Sequence, residues 1–187
     1  MKAGETMTTP IEGVVVTLNK IVRDQRGFLA ELMPGGLANP TAHGEFGNLY
    51  LSVAETKFVA RGGHYHKTEN SIESFYCIGG TVVWILYDYR KESPTQGTLV
   101  DIVVGKPLDA SACATAQPTM AITVEQGVMA QITVVPGVYH SFVPLSDEPA
   151  QVIGLHTKPY NEADYQRIAL GDVPGISDVA KRYGFHV

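Results

Sequence analysis

The chain has 187 residues, the size of one domain with short extensions. Hydrophobic residues make up 44% and charged residues 18%, which fits a chain that buries a core and excludes an intrinsically disordered one. A net charge of −5 with no lysine or arginine cluster argues against nucleic-acid partners, and no apolar run approaches the roughly 20 residues that span a bilayer.

Residues 1–12 carry one lysine and no apolar core, so they read as a disordered lead-in and not as a secretory signal. Segment 13–18 is valine-rich and reads as a strand, with Asp24-Gln25-Arg26-Gly27 as a turn beyond it. A short strand at 28–32 leads into a loop at Pro34-Gly35-Gly36. Further strands are predicted at 49–53, 58–65 and 74–78, and Gly79-Gly80 marks a hairpin into a long strand at 81–89. After a strand at 99–104, the weakly patterned stretch 105–120 reads as an excursion. Strands at 121–124, 130–135, 141–144 and 151–157 complete the series.

Only 162–168 and 177–183 look helical, the second with Ser177 as N-cap and Gly184 as stop. Many short strands separated by turn signals, without an internal repeat, predict an all-β sandwich or barrel over 13–160. Residues 161–187 form an extension with a short helical tail. Cys77, in an apolar run, and Cys113 are the two cysteines; without a secretory signal they predict reduced thiols and a cytoplasmic setting.

The histidines carry the chemistry. His64 and His66 stand one residue apart in Arg61-Gly62-Gly63-His64-Tyr65-His66, so on a strand both imidazoles point into one pocket and Tyr65 points away. Glu73 opens the next predicted strand, and His140 follows the Pro136-Gly137 turn. A lone histidine is more often a hydrogen-bonded core or surface residue than a ligand, and His43 and His186 are read that way. His156 has the parity of an inward strand position and could support the pocket.

His64, His66, Glu73 and Gly80, with Pro136, Gly137 and His140, resemble the two sequence motifs of the cupins, although the gap from His66 to Glu73 is longer than usual. That resemblance implies an antiparallel jelly-roll β-barrel. It also implies a site in which His64, His66, Glu73 and His140 bind one divalent ion, Fe, Zn, Mn, Ni or Co, with two octahedral positions open. No organic cofactor is implied.

A longer match runs from Gly13 to Ile168. Asp24-Gln25-Arg26-Gly27-Phe28-Leu29-Ala30-Glu31, the Arg61–His66 run, Asp88 to Gly97, Pro136 to Phe142 and Thr157-Lys158-Pro159-Tyr160 resemble the dTDP-4-dehydrorhamnose 3,5-epimerases. The resemblance implies an isomerase or epimerase acting beside the carbonyl of a 4-keto sugar nucleotide, or a related carbohydrate, and a homodimer. It makes His64 the general base, Tyr160 the opposing acid and Asp172 the carboxylate that orients the histidine. Arg26 and Arg61 would meet the diphosphate; Phe28, Glu31 and Asn48 would lie near the nucleotide. The family has glutamine at His66 and lysine at Glu73, and both replacements head toward a metal site. A histidine that ligates an ion cannot also be a free base. A metal-dependent oxygenase and a non-catalytic sugar-binding cupin are the competing classes.

Overall fold

A computed structural model of the chain describes residues 2–32, 46–106, 117–123 and 127–187. The strands among them form two facing sheets. The first runs β1 (Thr6–Thr8), β2 (Val15–Asp24), β10 (Val128–Val134), β6 (Glu73–Gly79), β12 (Ala150–His156) and β4 (Asn48–Ala54), with β3 (Gly27–Ala30) paired to β2. The second runs β13 (Tyr165–Arg167), β5 (Arg61–His66), β11 (Val138–Pro144), β7 (Thr81–Asp88), β8 (Leu99–Gly105) and β9 (Met120–Thr123). Pairings are antiparallel except β8 with β9, which is parallel. The expected all-β jelly roll is the fold.

β7 shows how the sequence builds two cores. Val82, Trp84 and Leu86 alternate with Val83 and Ile85, and the period of two sends each set to a different face. The first set joins Phe75, Val16, Leu18, Ile132 and Val152 between the sheets. The second meets α1 (Ile176–Tyr183) and Phe185 on the outside of the second sheet. Ile176 and Val179 are nearly inaccessible, and burying such side chains is worth about 1.5–3 kcal/mol each. The tail therefore covers a sheet. No helix of the described residues is long and apolar enough to cross a membrane.

Several expectations change. The lead-in is ordered over much of its length: Thr6–Thr8 pairs with β2, and Ile11 is buried in the core. Gly79-Gly80 makes no hairpin, because β6 and β7 belong to different sheets; Gly80, at φ +70°, turns the chain from one sheet to the other. Segment 162–168 is not a helix. It is a 3₁₀ turn at Glu162–Asp164 followed by β13, because the open edge of β5 offers ladder hydrogen bonds that a short isolated helix cannot match. The helix α1 starts after Gly175, at φ +81°, with no side-chain cap, so Ser177 is not its N-cap; Gly184 does end it. The strand predicted at 58–65 starts only at Arg61, since Phe58 has φ +66°. The Asp24–Gly27 turn closes the β2–β3 hairpin, and Cys77 is a buried free thiol. Pro34-Gly35-Gly36, His43, Cys113, Val124 and most of the 105–120 excursion lie outside the described residues.

Candidate active site

Strand parity brings the site together. On β5, His64 and His66 both face inward, while Tyr65 turns out to stack on Tyr89 at 5.6 Å between ring centroids. On β11, His140 shares the inward face with Val138 and Phe142. On β6, Glu73 shares it with Phe75 and Cys77, so the long gap after His66 does not turn the carboxylate away. β5 and β11 are neighbours in register at His64 and His140, and β6 lies across the interior in the first sheet.

Glu73 Oε2 is 2.9 Å from His66 Nε2, 2.8 Å from His140 Nε2 and 3.9 Å from His64 Nε2. His64 and His140 approach at 3.1 Å between their Nε2 atoms. All four ligand atoms lie within 4.8 Å of one another, and all four residues are buried. Atoms bound about 2.1 Å from one ion sit roughly 3.0–3.4 Å apart, and the observed separations bracket that range. The donor chemistry fits as well: imidazoles and a carboxylate suit Fe, Zn, Mn, Ni or Co.

The partners on the far side of each group are specific. Tyr50 O–H donates to Glu73 Oε1 at 2.9 Å. His140 Nδ1–H donates to the carbonyl of Val138 at 3.1 Å. His66 Nδ1–H donates to Asp164 Oδ2 at 2.8 Å. His64 Nδ1 is buried with no partner among the described residues.

Electrostatics follow from this layout. Burial and the neighbouring His140 push His64 down to about 2, so its ring is neutral. Burial opposes charge on His66 too, but hydrogen bonds to Glu73 and Asp164 outweigh it and raise its pKa. Burial would raise Glu73, yet the His140 and His66 contacts hold it well below the usual carboxylate range. Tyr50 is raised strongly, first by burial and then by the Glu73 charge, so it keeps its proton.

A cavity of about 470 Å³ opens onto His64 and His140. Its apolar lining comes from Phe75, Trp84, Phe142 and Val152, and its polar lining includes Asn48, Arg61, Tyr160 and Arg167. Tyr50 also lines it, from the sheet that faces His64. Tyr50 can lie there because residue 154 is glycine; a Cβ on Gly154 would sit 2.2 Å from the Tyr50 Cζ. Tyr165 lies with its ring centroid 4.5 Å from that of His64.

Other expected site residues are placed differently. Tyr160 is 62% exposed, with its hydroxyl donating to Glu162 at 2.5 Å. Asp172 is exposed in the 3₁₀ turn Leu170–Asp172 and makes no hydrogen bond to His64. The carboxylate that does hold a pocket histidine is Asp164, and it holds His66. Arg26, Phe28 and Glu31 do not line the cavity. Arg26 pairs with Asp24 on the β2–β3 hairpin, Phe28 is half exposed, and Glu31 is exposed just beyond β3. His156 is buried beside His66, at 4.4 Å between centroids, and hydrogen-bonds Ser71; His186 is exposed.

Tyr50 was legible from inward parity on its strand. Asp164 was hidden inside a segment that reads as helical.

Residues 8–176 match the dTDP-4-dehydrorhamnose 3,5-epimerase family. A probable low-salt glycan biosynthesis epimerase, Agl13 of Haloferax volcanii, is 29% identical over 161 residues, which are 84% of this chain and 87% of that protein. Among solved structures, a dTDP sugar isomerase from Desulfovibrio desulfuricans superposes with a TM-score of 0.68 at 19% identity, covering 90% of this chain and 92% of that one. ChmJ, a 3'-monoepimerase from Streptomyces bikiniensis solved with dTDP-quinovose, superposes at 0.67 with 20% identity, covering 89% and 74%. The chain belongs to the dTDP-4-dehydrorhamnose 3,5-epimerase family and is a sugar-nucleotide epimerase that works at a carbon beside a keto group.

Proposed function

We propose that the chain epimerises a dTDP-linked 4-keto sugar, that His66, Glu73 and His140 hold a divalent transition-metal ion, and that His64 is the base. The observation that carries this division of labour is the wiring of the four groups. Metal-ligating groups are characteristically fixed from behind. His66, His140 and Glu73 each have such a partner, and His64 has none among the described residues. The ion would polarise the keto oxygen and stabilise charge as the enolate forms.

The remaining steps belong to this chain's own side chains. His64 is neutral, so it offers a lone pair to the hydrogen α to the ketone. The weak basicity that burial imposes is offset as negative charge develops beside it. Tyr50 projects from the facing sheet and returns a proton to the opposite side of the sugar ring; its raised pKa keeps that proton in place beforehand. Tyr50 is preferred to Tyr160 in this role because it stands in the sheet facing His64, whereas Tyr160 is 62% exposed. Arg61 and Arg167, at the cavity, suit the diphosphate, and the aromatic lining excludes water from the reacting carbon.

The chain is proposed to act as a homodimer in a reducing cytoplasm. The apolar side chains Leu49 and Leu51 on β4 and Val22 and Leu29 on the β2–β3 hairpin are more than half exposed, which supports a covered face.

The test combines ion content with deuterium wash-in from D₂O at the carbons flanking the ketone. His64→Ala is expected to keep the ion and lose exchange by about 10²–10⁴-fold; His66→Ala is expected to lose the ion. A His64→Ala protein that exchanges at the wild-type rate would remove His64 as base, and a chelator-free native protein without a transition metal would remove the ion.

A further inference from the structure

Asp164 is a buried carboxylate outside the cavity lining, and it lies in the extension beyond the barrel strands. The 3₁₀ turn Glu162–Asp164, capped by Asn161, aims it back at the end of β5. Its Oδ1 accepts the backbone N–H of Lys67 at 3.0 Å and of Thr68 at 2.6 Å. Its Oδ2 accepts the Ser71 hydroxyl at 2.7 Å and His66 Nδ1–H at 2.8 Å. Ser71 has spent its only proton on Asp164, so its oxygen accepts from His156 Nε2–H at 2.8 Å. Asp164, Ser71, His66 and His156 are each at most 5% exposed.

The consequence is a fixed tautomer. A carboxylate with four donors around it can only accept, so Nδ1 of His66 must carry hydrogen. Nε2, which hydrogen-bonds Glu73 Oε2 at 2.9 Å and points into the histidine cluster, is then the nitrogen whose lone pair becomes available when an ion takes the place of its proton. Ser71 and His156 hold Asp164 in place from the other side, and the His156 ring lies 4.4 Å from that of His66.

We propose that Asp164, braced by Ser71 and His156, is the positioning residue of the ion site: it selects the His66 tautomer whose Nε2 ligates and fixes the ring that presents it. The proposal rests on the ion reading given above. Asp164 touches neither substrate nor ion and acts through His66. In Asp164→Asn, Oδ1 can still serve Lys67 and Thr68, but an amide NH₂ facing His66 would donate to Nδ1. That ring would carry its hydrogen on Nε2, against the ion.

The full chain, stripped with chelator, is titrated with Co²⁺ and followed by calorimetry and visible absorption. Wild type is expected to bind one ion. Asp164→Asn should bind it about 10- to 100-fold more weakly and with an altered ligand-field spectrum. Asp164→Glu should recover part of the loss, and Ser71→Ala, which removes only the brace, should lose less. Equal affinity and spectrum for wild type and Asp164→Asn would overturn the positioning role and leave the ion reading standing. Wild type that takes up no Co²⁺ would overturn both. A measurement on wild type alone covers a variant that fails to fold. In the Zn²⁺-loaded protein, long-range ¹H–¹⁵N correlations should show His66 metallated at Nε2 and protonated at Nδ1, and the reverse assignment overturns the proposal.

Discussion

Two regions singled out by resemblance to known motifs behave differently in the folded chain. His64, His66, Glu73 and His140 come from three strands in two sheets and still meet with Glu73 Oε2 2.8–3.9 Å from each imidazole. Arg26, Phe28 and Glu31 lie within six residues of one another, yet they sit on or just beyond the β2–β3 hairpin, outside the lining of that cavity, and are exposed. The first group is positioned by the barrel's own core, where strand parity decides which side chains face inward. The second group has no such packing, and a single chain cannot decide what it touches. The geometry of the interior groups is settled by folding, whereas the hairpin side chains are left exposed.

The sharpest way to break this comparison is to disturb the interior. Glu73→Ala leaves three buried imidazoles without their shared carboxylate. It should weaken Co²⁺ binding by at least about 100-fold and lower turnover by roughly 10²–10⁴-fold. Ion content and exchange rate measured together check it. A variant that keeps both would show that the cluster is only a hydrogen-bonded core.

The hairpin should respond on a smaller scale and in a different parameter. Arg26→Ala should raise KM about tenfold, as for a lost phosphate contact worth about 1.4 kcal/mol. Its kcat and ion content should stay within about twofold of wild type, and its folding stability should shift by no more than about 0.5 kcal/mol, since the Asp24 pair is exposed. If kcat falls as far as in Glu73→Ala, the hairpin reaches the reacting carbon and the contrast between the regions fails.

Much of the interior was legible from sequence because its signals are local. The alternation in Val82–Leu86 and the one-residue spacing of His64 and His66 each specify a face without knowledge of the rest of the chain. What was not legible depends on partners far along the chain. Gly79-Gly80 announces a turn, but nothing in two glycines says that the next strand joins the other sheet. Segment 162–168 has helix-like spacing, and only the free edge of β5 makes part of it a strand. Asp172 and Asp164 are equivalent as acids in sequence; the turn at Glu162–Asp164 puts one of them on a histidine and leaves the other exposed. The family signature named Tyr160, which lines the cavity, but not Tyr50, a second phenol lining it that is admitted by the absence of a side chain at Gly154.

The smallest effect on chemistry should come from a third feature, the run from Asp88 to Gly97. Asp88 is fully buried and accepts hydrogen bonds from the Arg90 backbone and guanidinium, Ser93 and Thr95, while Arg90 also donates to the carbonyl of Glu12. Burial opposes its charge, but those donors hold its carboxyl well below the ordinary value of 3.8. A group lowered on folding adds stability that is complete above its unfolded pKa and disappears as pH falls toward the folded one. Wild type should therefore lose this contribution progressively below about pH 3.8. Asp88→Asn keeps the shape and removes the charge, so it should cost about 1.5–3 kcal/mol at neutral pH and melt with a shallower acid limb below pH 4. Its kcat, KM and ion content should match wild type while it is folded, since Asp88 is not among the residues lining the cavity. Thermal melts between pH 3 and 7, run alongside kinetics at pH 7, separate the two readouts. A loss of turnover out of proportion to the folded fraction would mean that this turn shapes the active site as well as the barrel.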